Sequence, residues 1–437
     1  EKILPVWSFS GRANILDIFH LQPKWLDALA WKVSYGGQGN MLDGQTPVLT
    51  ITKGAYDTHY GEMVSTVNQF ANPDLKWEKT YSFNTGIETS LFQGRLQLSL
   101  EYYYKKTNDA FMNKTISDIN GYTSYVVNSG QIINKGYNFS VTATPIRTKN
   151  WNWMLSGSLS KVDNKMKSQP GEDAYSIDDY LNGTAIVDGK AIGSFYSYRF
   201  IGLNPVDGGP LFDDWQDRAD ELVGLNNYET AMRVLSYSGQ REPDVTGSFS
   251  STLEYKQWRF GVFMDYALGN KVRLFRIFNQ SNGSTTGPGN IYPEYNLNRE
   301  LLNRWRKSGD EAITNIPSII STQSNSSYYQ YSQHWSAGSS YQGVAFAQNA
   351  WTMYDYSDFR VVSADYLRLS SLSLTYELPS DALRALHLER LAITLTGNNL
   401  YTFCNKKLKG QTPTQTGFAE VQLSDTPYYT IDFNIQF

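Results

Sequence analysis

The sequence predicts an all-β fold, a wall of long antiparallel strands from a transmembrane β-barrel, and three observations predict it. Apolar residues recur at every second position in segments spread along the 437 residues. The connections between these segments alternate between short turns and long polar loops. Aromatic residues make up 14% of the chain, with 31 Tyr, 21 Phe and 11 Trp, and the Tyr and Trp rings suit a membrane–water boundary.

The segments are taken in chain order. Leu29, Trp31, Val33 and Tyr35 share one face. Tyr81, Phe83, Thr85, Ile87 and Thr89 form the next face, followed by Leu96, Leu98, Leu100, Tyr102 and Tyr104. Tyr137 to Ala143 and Trp151 to Leu159 repeat the pattern, as do Phe249 to Tyr255 and Phe260 to Tyr266. Leu367 to Tyr376, Leu391 to Leu395 and Tyr429 to Phe437 complete it. About eleven such segments are expected, each near the nine to eleven residues of a tilted membrane strand. Their opposite faces carry Ser, Thr, Asn, Gln, Lys and Glu, as a wall between lipid and water requires.

Short turns are expected at Phe92-Gln93-Gly94, Thr148-Lys149-Asn150 and Lys256-Gln257. Long loops are expected at about 40–75, 106–135, 163–247, 271–360 and 403–427, which a compact soluble domain would not accommodate. Within them, Asn298 to Ser308 has helix-forming composition, and Pro379-Ser380-Asp381 followed by Ala382 to Leu386 reads as a capped helical turn. The stretches 279–290 and 321–343 read as exposed loops. No apolar run reaches 18 residues, so no transmembrane helix is expected. No signal peptide is visible at Glu1, so an export signal is expected upstream.

The net charge of −4 gives no basic footprint for nucleic acid. The single cysteine, Cys404, rules out an internal disulfide and a multi-cysteine metal site, and reads as an inert thiol. The last strand, with Tyr429, Ile431, Phe433, Ile435 and Phe437 in strict alternation, resembles the C-terminal signal read by barrel-assembly machinery, or the edge strand of another β-protein.

The motifs from end to end resemble the C-terminal half of the SusC/RagA class of TonB-dependent outer-membrane transporters of Bacteroidetes. Trp25-Leu26-Asp27 with Trp31 to Gly36, Asn72-Pro73-Asp74-Leu75-Lys76-Trp77-Glu78-Lys79-Thr80, and Leu100 to Asp109 carry the first part of the likeness. Asn128-Ser129-Gly130 with Asn134-Lys135-Gly136, Ile192 to Tyr196 with Gly202 to Pro205, Tyr366 to Tyr376 with Leu378-Pro379, and Thr396 to Phe403 carry the rest. Tyr137-Asn138 and Lys409 to Thr414 depart from the family pattern.

The resemblance implies that residues 1–437 are the C-terminal part of a barrel of about 22 strands, with the plug and first barrel strands absent from this chain. Eleven strands cannot close that circumference. Either another polypeptide supplies the first half, or the sequence is a fragment. The resemblance also implies TonB-dependent uptake of glycans or peptides, with no bond chemistry. The implied partners are a SusD-like surface lipoprotein acting as a lid, the polypeptide carrying the plug, TonB through that half, and outer-membrane lipid.

Candidate chemistry is sparse. His20, His59, His334 and His387 are scattered without ligand spacing, and surface or loop positions are expected for them. Asp207, Asp213, Asp214, Asp217, Asp220 and Glu221 offer oxygen ligands suited to calcium but lack the spacing of a calcium loop, so a solvated loop competes with that reading. No nucleophile–base pairing stands out. The loop aromatics Trp215, Tyr292, Tyr295, Trp305, Tyr328, Tyr329, Tyr331, Trp335 and Tyr341 are candidates for stacking on sugars or docking a partner, or else for packing loop against loop. Two functions compete with transport: a non-transporting structural barrel in an outer-membrane complex, and a soluble carbohydrate-binding β-protein. The proteins that accompany the chain and its need for detergent separate the three.

Overall fold

The computed structural model describes residues 5–41, 47–115, 124–167, 175–278, 298–320, 327–335, 346, 349–415 and 424–437. Eleven long strands form one sheet: β1 (Trp7–Asn14), β2 (Leu26–Asn40), β3 (Glu78–Leu91), β4 (Leu96–Thr115), β5 (Ser124–Arg147), β6 (Trp151–Met166), β7 (Val245–Tyr255), β8 (Trp258–Leu268), β9 (Tyr366–Glu377), β10 (Arg390–Cys404) and β11 (Tyr428–Gln436). Neighbours in this sheet are neighbours in the chain, with β1 and β11 as its two edges. Among the described residues no helix is long and apolar enough to cross a membrane.

The chain divides into two compact units: Glu1–Pro145 with Ser156–Ala174 and Ile186–Ile192, and Ile146–Leu155 with Tyr175–Ala185 and Gly193–Phe437. In the first unit the register carries the alternation from strand to strand. Ala13, Trp31, Ile87, Leu100 and Phe139 form one apolar row, and Gly11, Val33, Thr85, Tyr102 and Tyr137 form the next. The opposite face is polar. Lys32 donates to Glu88, and Asn84 Nδ2 donates to Ser34 Oγ at 3.1 Å. Ser160 Oγ donates to Asn138 Oδ1 at 2.8 Å.

The second unit repeats the scheme. Leu253, Phe260, Leu374, Leu395 and Ile431 form one apolar row, and Tyr255, Trp258, Tyr376, Ile393 and Phe433 lie beside it at the short-turn end. At that end rings stack in pairs, Trp151 on Tyr255 at 4.2 Å and Trp258 on Tyr376 at 4.6 Å. On the other face Asn152 Nδ2 and Arg259 Nε both donate to Glu254, at 3.1 and 2.7 Å.

The short turns fall where the sequence places them, and Phe92, Gln93 and Lys256 all take positive φ there. The long loops are more structured than expected. The interval 40–75 holds a hairpin of Thr50–Asp57 against Glu62–Gln69, and most of 106–135 is strand, because β4 and β5 run on for 20 and 24 residues. The strand β1 is not among the runs named above. Its alternation, Trp7, Phe9, Gly11, Ala13, weakens at the glycine. Residues Asn298 to Ser308 form only a 3-10 turn, Arg299–Asn303. The turn after Pro379 starts at Ser380 and has no side-chain cap. Cys404 is exposed at the end of β10.

The motif Asn72 to Thr80 ties three strands of the first unit together. Asn72 Nδ2 donates to Val126 O at 2.6 Å, while Asn128 accepts from the Lys76 amide at 2.7 Å and donates to Lys76 O at 2.9 Å. Glu78 accepts from Asn40 Nδ2 at 3.0 Å and from the Phe111 amide at 2.9 Å. Gly136 of the neighbouring motif has no room for a side chain, since a Cβ there would lie 2.0 Å from Lys161 O.

Candidate functional site: the loop layer

The long connections of the second unit fold into a packed layer with its own core. Ile277, Phe278, Leu301, Ile316, Tyr328 and Trp351 are among its buried members. The helix Ala350–Asp355 runs through this core, its first amides capped by Asn349 Oδ1 at 2.9 Å from Trp351 N. At its other end the Asp355 carboxylate accepts the amides of Ile277 and Phe278 at 2.9 and 3.0 Å.

Charged groups are buried here, which is costly unless each is paired. Arg360 is fully buried and makes a two-pronged pair with Glu300, at 2.7 and 3.1 Å, plus a bond to Phe275 O. Lys409 also donates to Glu300. Burial alone would raise the Glu300 carboxyl, but the bonds and charges of Arg360 and Lys409 outweigh it and hold that carboxyl below its ordinary range. Burial wins at Asp355 and raises its pKa. Arg273 is equally buried and donates to Tyr196 O at 2.8 Å and Ser197 Oγ at 3.1 Å, and burial pushes its pKa down. None of these buried charges was readable as such in the sequence, because their segments carry no period. Two helix starts did carry a signal. Ser176 with Asp179, and Asn226 with Glu229, form capping boxes that open helices Ile177–Asn182 and Asn227–Val234.

The candidate aromatics separate. In helix Ser327–Ser332, Tyr328 and Tyr331 lie three residues apart and face inward, while Tyr329 is 69% exposed. Tyr331 donates to Asp207 Oδ1 at 2.8 Å and accepts from Asn204 Nδ2 at 3.0 Å. The glycines beside Asp207 make room for these rings: a Cβ on Gly208 would meet Trp305 at 2.3 Å, and one on Gly209 would meet Tyr331 at 2.0 Å. Trp305 donates to Glu311 Oε2 at 2.9 Å. Trp335 packs on Phe346 at 4.7 Å.

Four candidates for external contact, Trp305, Tyr328, Tyr331 and Trp335, are therefore core rings of the loop layer, because their large apolar surface is used between loops. Trp215 is partly buried, with the guanidinium of Arg218 over its ring at 4.1 Å. Of the described candidates, Tyr329 presents the most surface to solvent. Tyr292, Tyr295 and Tyr341 lie outside the described residues, as do 279–290 and part of 321–343.

In the acidic segment two of the carboxylates are drawn to other partners. Asp213 pairs with Arg199 and Arg218 at 3.5 and 3.1 Å, and Asp207 is taken by Tyr331. Among the described residues no group of three or more His, Cys, Asp or Glu side chains converges. His334 lies in a loop, just after helix Ser327–Ser332. It is mostly buried, and its Nε2 lies 2.7 Å from Asp214 Oδ2. His20, His59 and His387 are exposed.

Residues 5–279 match the family described as TonB dependent receptor-like, beta-barrel. The chain belongs to this TonB-dependent receptor barrel family. Over 389 residues it is 27% identical to TonB-dependent receptor P3 of Formosa agariphila, an alignment covering 85% of this chain and 34% of that protein. Over 231 residues it is 28% identical to TonB-dependent receptor SusC of Bacteroides thetaiotaomicron, covering 49% and 22%. The solved RagAB peptide transporter superposes with a TM-score of 0.74, covering 99% of this chain and 43% of that one at 22% identity, a likeness of fold. The chain spans about a third of the length of the first of these curated relatives. As a member of this family it is an outer-membrane β-barrel protein. The apolar rows of its sheet are the lipid face and the polar rows the lumen face.

Proposed function

We propose that this chain is the C-terminal wall and outer loop layer of a TonB-dependent importer of glycans or peptides. Its partners in this reading are a SusD-like surface lipoprotein over the loops and the polypeptide segment that carries the plug and the remaining strands. TonB acts through that segment. No bond is made or broken; the work is energy-coupled passage through the lumen. One observation carries the reading. Eleven antiparallel strands hold an apolar and a polar face in register, and one end of them bears a packed layer of long loops. The name of the RagAB peptide transporter, alike in fold, favours the peptide class, while the glycan class and the lid rest on the SusC/RagA-type motifs of the sequence.

Deleting the coding segment should abolish protonophore-sensitive uptake of one class, labelled oligosaccharides or labelled oligopeptides, and leave the other class unaffected. A lipoprotein should copurify with the chain from outer membranes. Unchanged uptake of both classes, with loss of some other surface complex, would sink transport in favour of a structural barrel.

A further inference from the structure

The turn between β1 and β2 is longer than the short-end turns at 92–95, 148–150 and 256–257, and it is rich in large apolar residues. Residues 15–25 read Ile-Leu-Asp-Ile-Phe-His-Leu-Gln-Pro-Lys-Trp. The turn leaves β2 at Leu26, which pairs with Leu91, which in turn pairs with Leu96, so it sits at the end that carries Phe92-Gln93-Gly94. Phe92 N donates to Trp25 O at 2.9 Å and fixes the two turns side by side.

Soluble turns expose polar side chains, whereas this one exposes Ile18, Phe19, Leu21 and Trp25, with Phe92 beside them, each more than half accessible. Part of its backbone is bonded within itself. Ile15–Ile18 is one helical turn, with Phe19 N bonded to Ile15 O at 3.1 Å and Leu21 N to Leu16 O at 2.9 Å. Internal bonding lowers the cost of placing a backbone at a bilayer boundary. Lys24 and Arg95 lie exposed beside the apolar cluster. Of the two nearby acids, Asp27 accepts the Gly94 amide at 2.9 Å, and Asp17 stands exposed on the helical turn beside Ile18. Apolar side chains with flanking cations are the chemistry of an interfacial anchor on phospholipid. The cluster also continues the lipid face, since the row Leu26–Leu91–Leu96 leads from it into the apolar rows of the wall.

We propose that residues 15–25, with Phe92, are an interfacial anchor. It lies in the leaflet at the short-turn end, with its apolar side chains at the headgroup–acyl boundary and with Lys24 and Arg95 at the lipid phosphates. The proposal stands on outer-membrane placement and not on transport.

Its test uses the receptor purified with its accompanying polypeptides, in a Cys404→Ser background, and reconstituted in phosphatidylethanolamine–phosphatidylglycerol vesicles. A nitroxide is attached at Phe19→Cys or Leu21→Cys, and power saturation compares collisions with oxygen and with a water-soluble nickel chelate. Ile431→Cys on the wall and the exposed Ile313→Cys of the loop layer are the lipid and water references. At Phe19 and Leu21 the oxygen-to-nickel ratio should exceed that of Ile313 several-fold and approach that of Ile431. A ratio equal to that of Ile313 overturns the proposal, placing the turn in water. Shielding from both quenchers also overturns it, placing the turn against protein.

Discussion

The wall and the loop layer of the second unit are built on opposite rules. On the wall, Leu372, Leu374, Leu395 and Ile431 stand exposed, and polar pairs such as Thr375 with Thr394 line the other face. In the loop layer Trp351, Tyr354 and Phe278 are buried, and the charges Arg360, Asp355 and Arg273 are buried with them. The wall leaves its apolar surface for lipid to cover. The loop layer works as a small water-soluble core and must compensate each charge it hides. Damage to one should therefore leave the other standing.

The largest expected effect is Glu300→Ala. It leaves Arg360 buried without its carboxylate partner, and breaking such a pair costs about 3–5 kcal/mol. Hydrogen exchange should rise across 271–278, 298–320 and 349–363, while the heat-modifiable electrophoretic mobility of the barrel stays unchanged. If both were lost together, wall and loops would be one cooperative structure. Next is Leu372→Arg, which puts a cation into the lipid face between Val262 and Gly397, at a cost of roughly 2–4 kcal/mol near the bilayer midplane. Ser373→Arg, one residue along and on the lumen face, should leave insertion close to that of the parent. Equal defects for the two, measured by folding into vesicles, would contradict the assignment of faces.

The same contrast explains what the sequence made legible. A strand in a bilayer wall has to repeat its chemistry every second residue, so the runs from Leu29 to Phe437 announced themselves. Only β1, interrupted by Gly11, escaped. The loop layer has no such period. Arg273, Arg360 and Asp355 read like any solvated charge, because their burial depends on segments more than 50 residues away. Trp305, Tyr328 and Trp335 look alike whether a ring faces a ligand or a core. Only the glycines opposite Trp305 and Tyr331 hinted at tight packing. The helices starting after Ser176 and Asn226 could have been found from their capping boxes. The motif Asn72 to Thr80 was legible as a family mark, but its role as a knot between strands became visible only once Val126, Asn128 and Phe111 were placed beside it.

The smallest expected effect is one of pH, and it again separates the two regions. Glu300 titrates below its ordinary value of 4.5 in the folded loop layer, so its contribution is present at neutral pH and is lost as pH falls through the carboxylate range. Asp355 has the opposite sign. Its folded pKa is raised above 3.8, so protonation at low pH relieves a cost and partly offsets the loss at Glu300. Between pH 7 and 3.5 protease resistance of the loop layer should therefore fall only modestly, while heat-modifiable mobility reports an unchanged wall. Asp355→Asn removes the offset, so its loop layer should weaken more steeply with acid than the parent's. Glu300→Gln removes the contribution that acid takes away, so its profile should flatten or reverse. A parent and a Glu300→Gln variant with the same acid profile would mean that the Arg360 pair does not set the acid response of the loops.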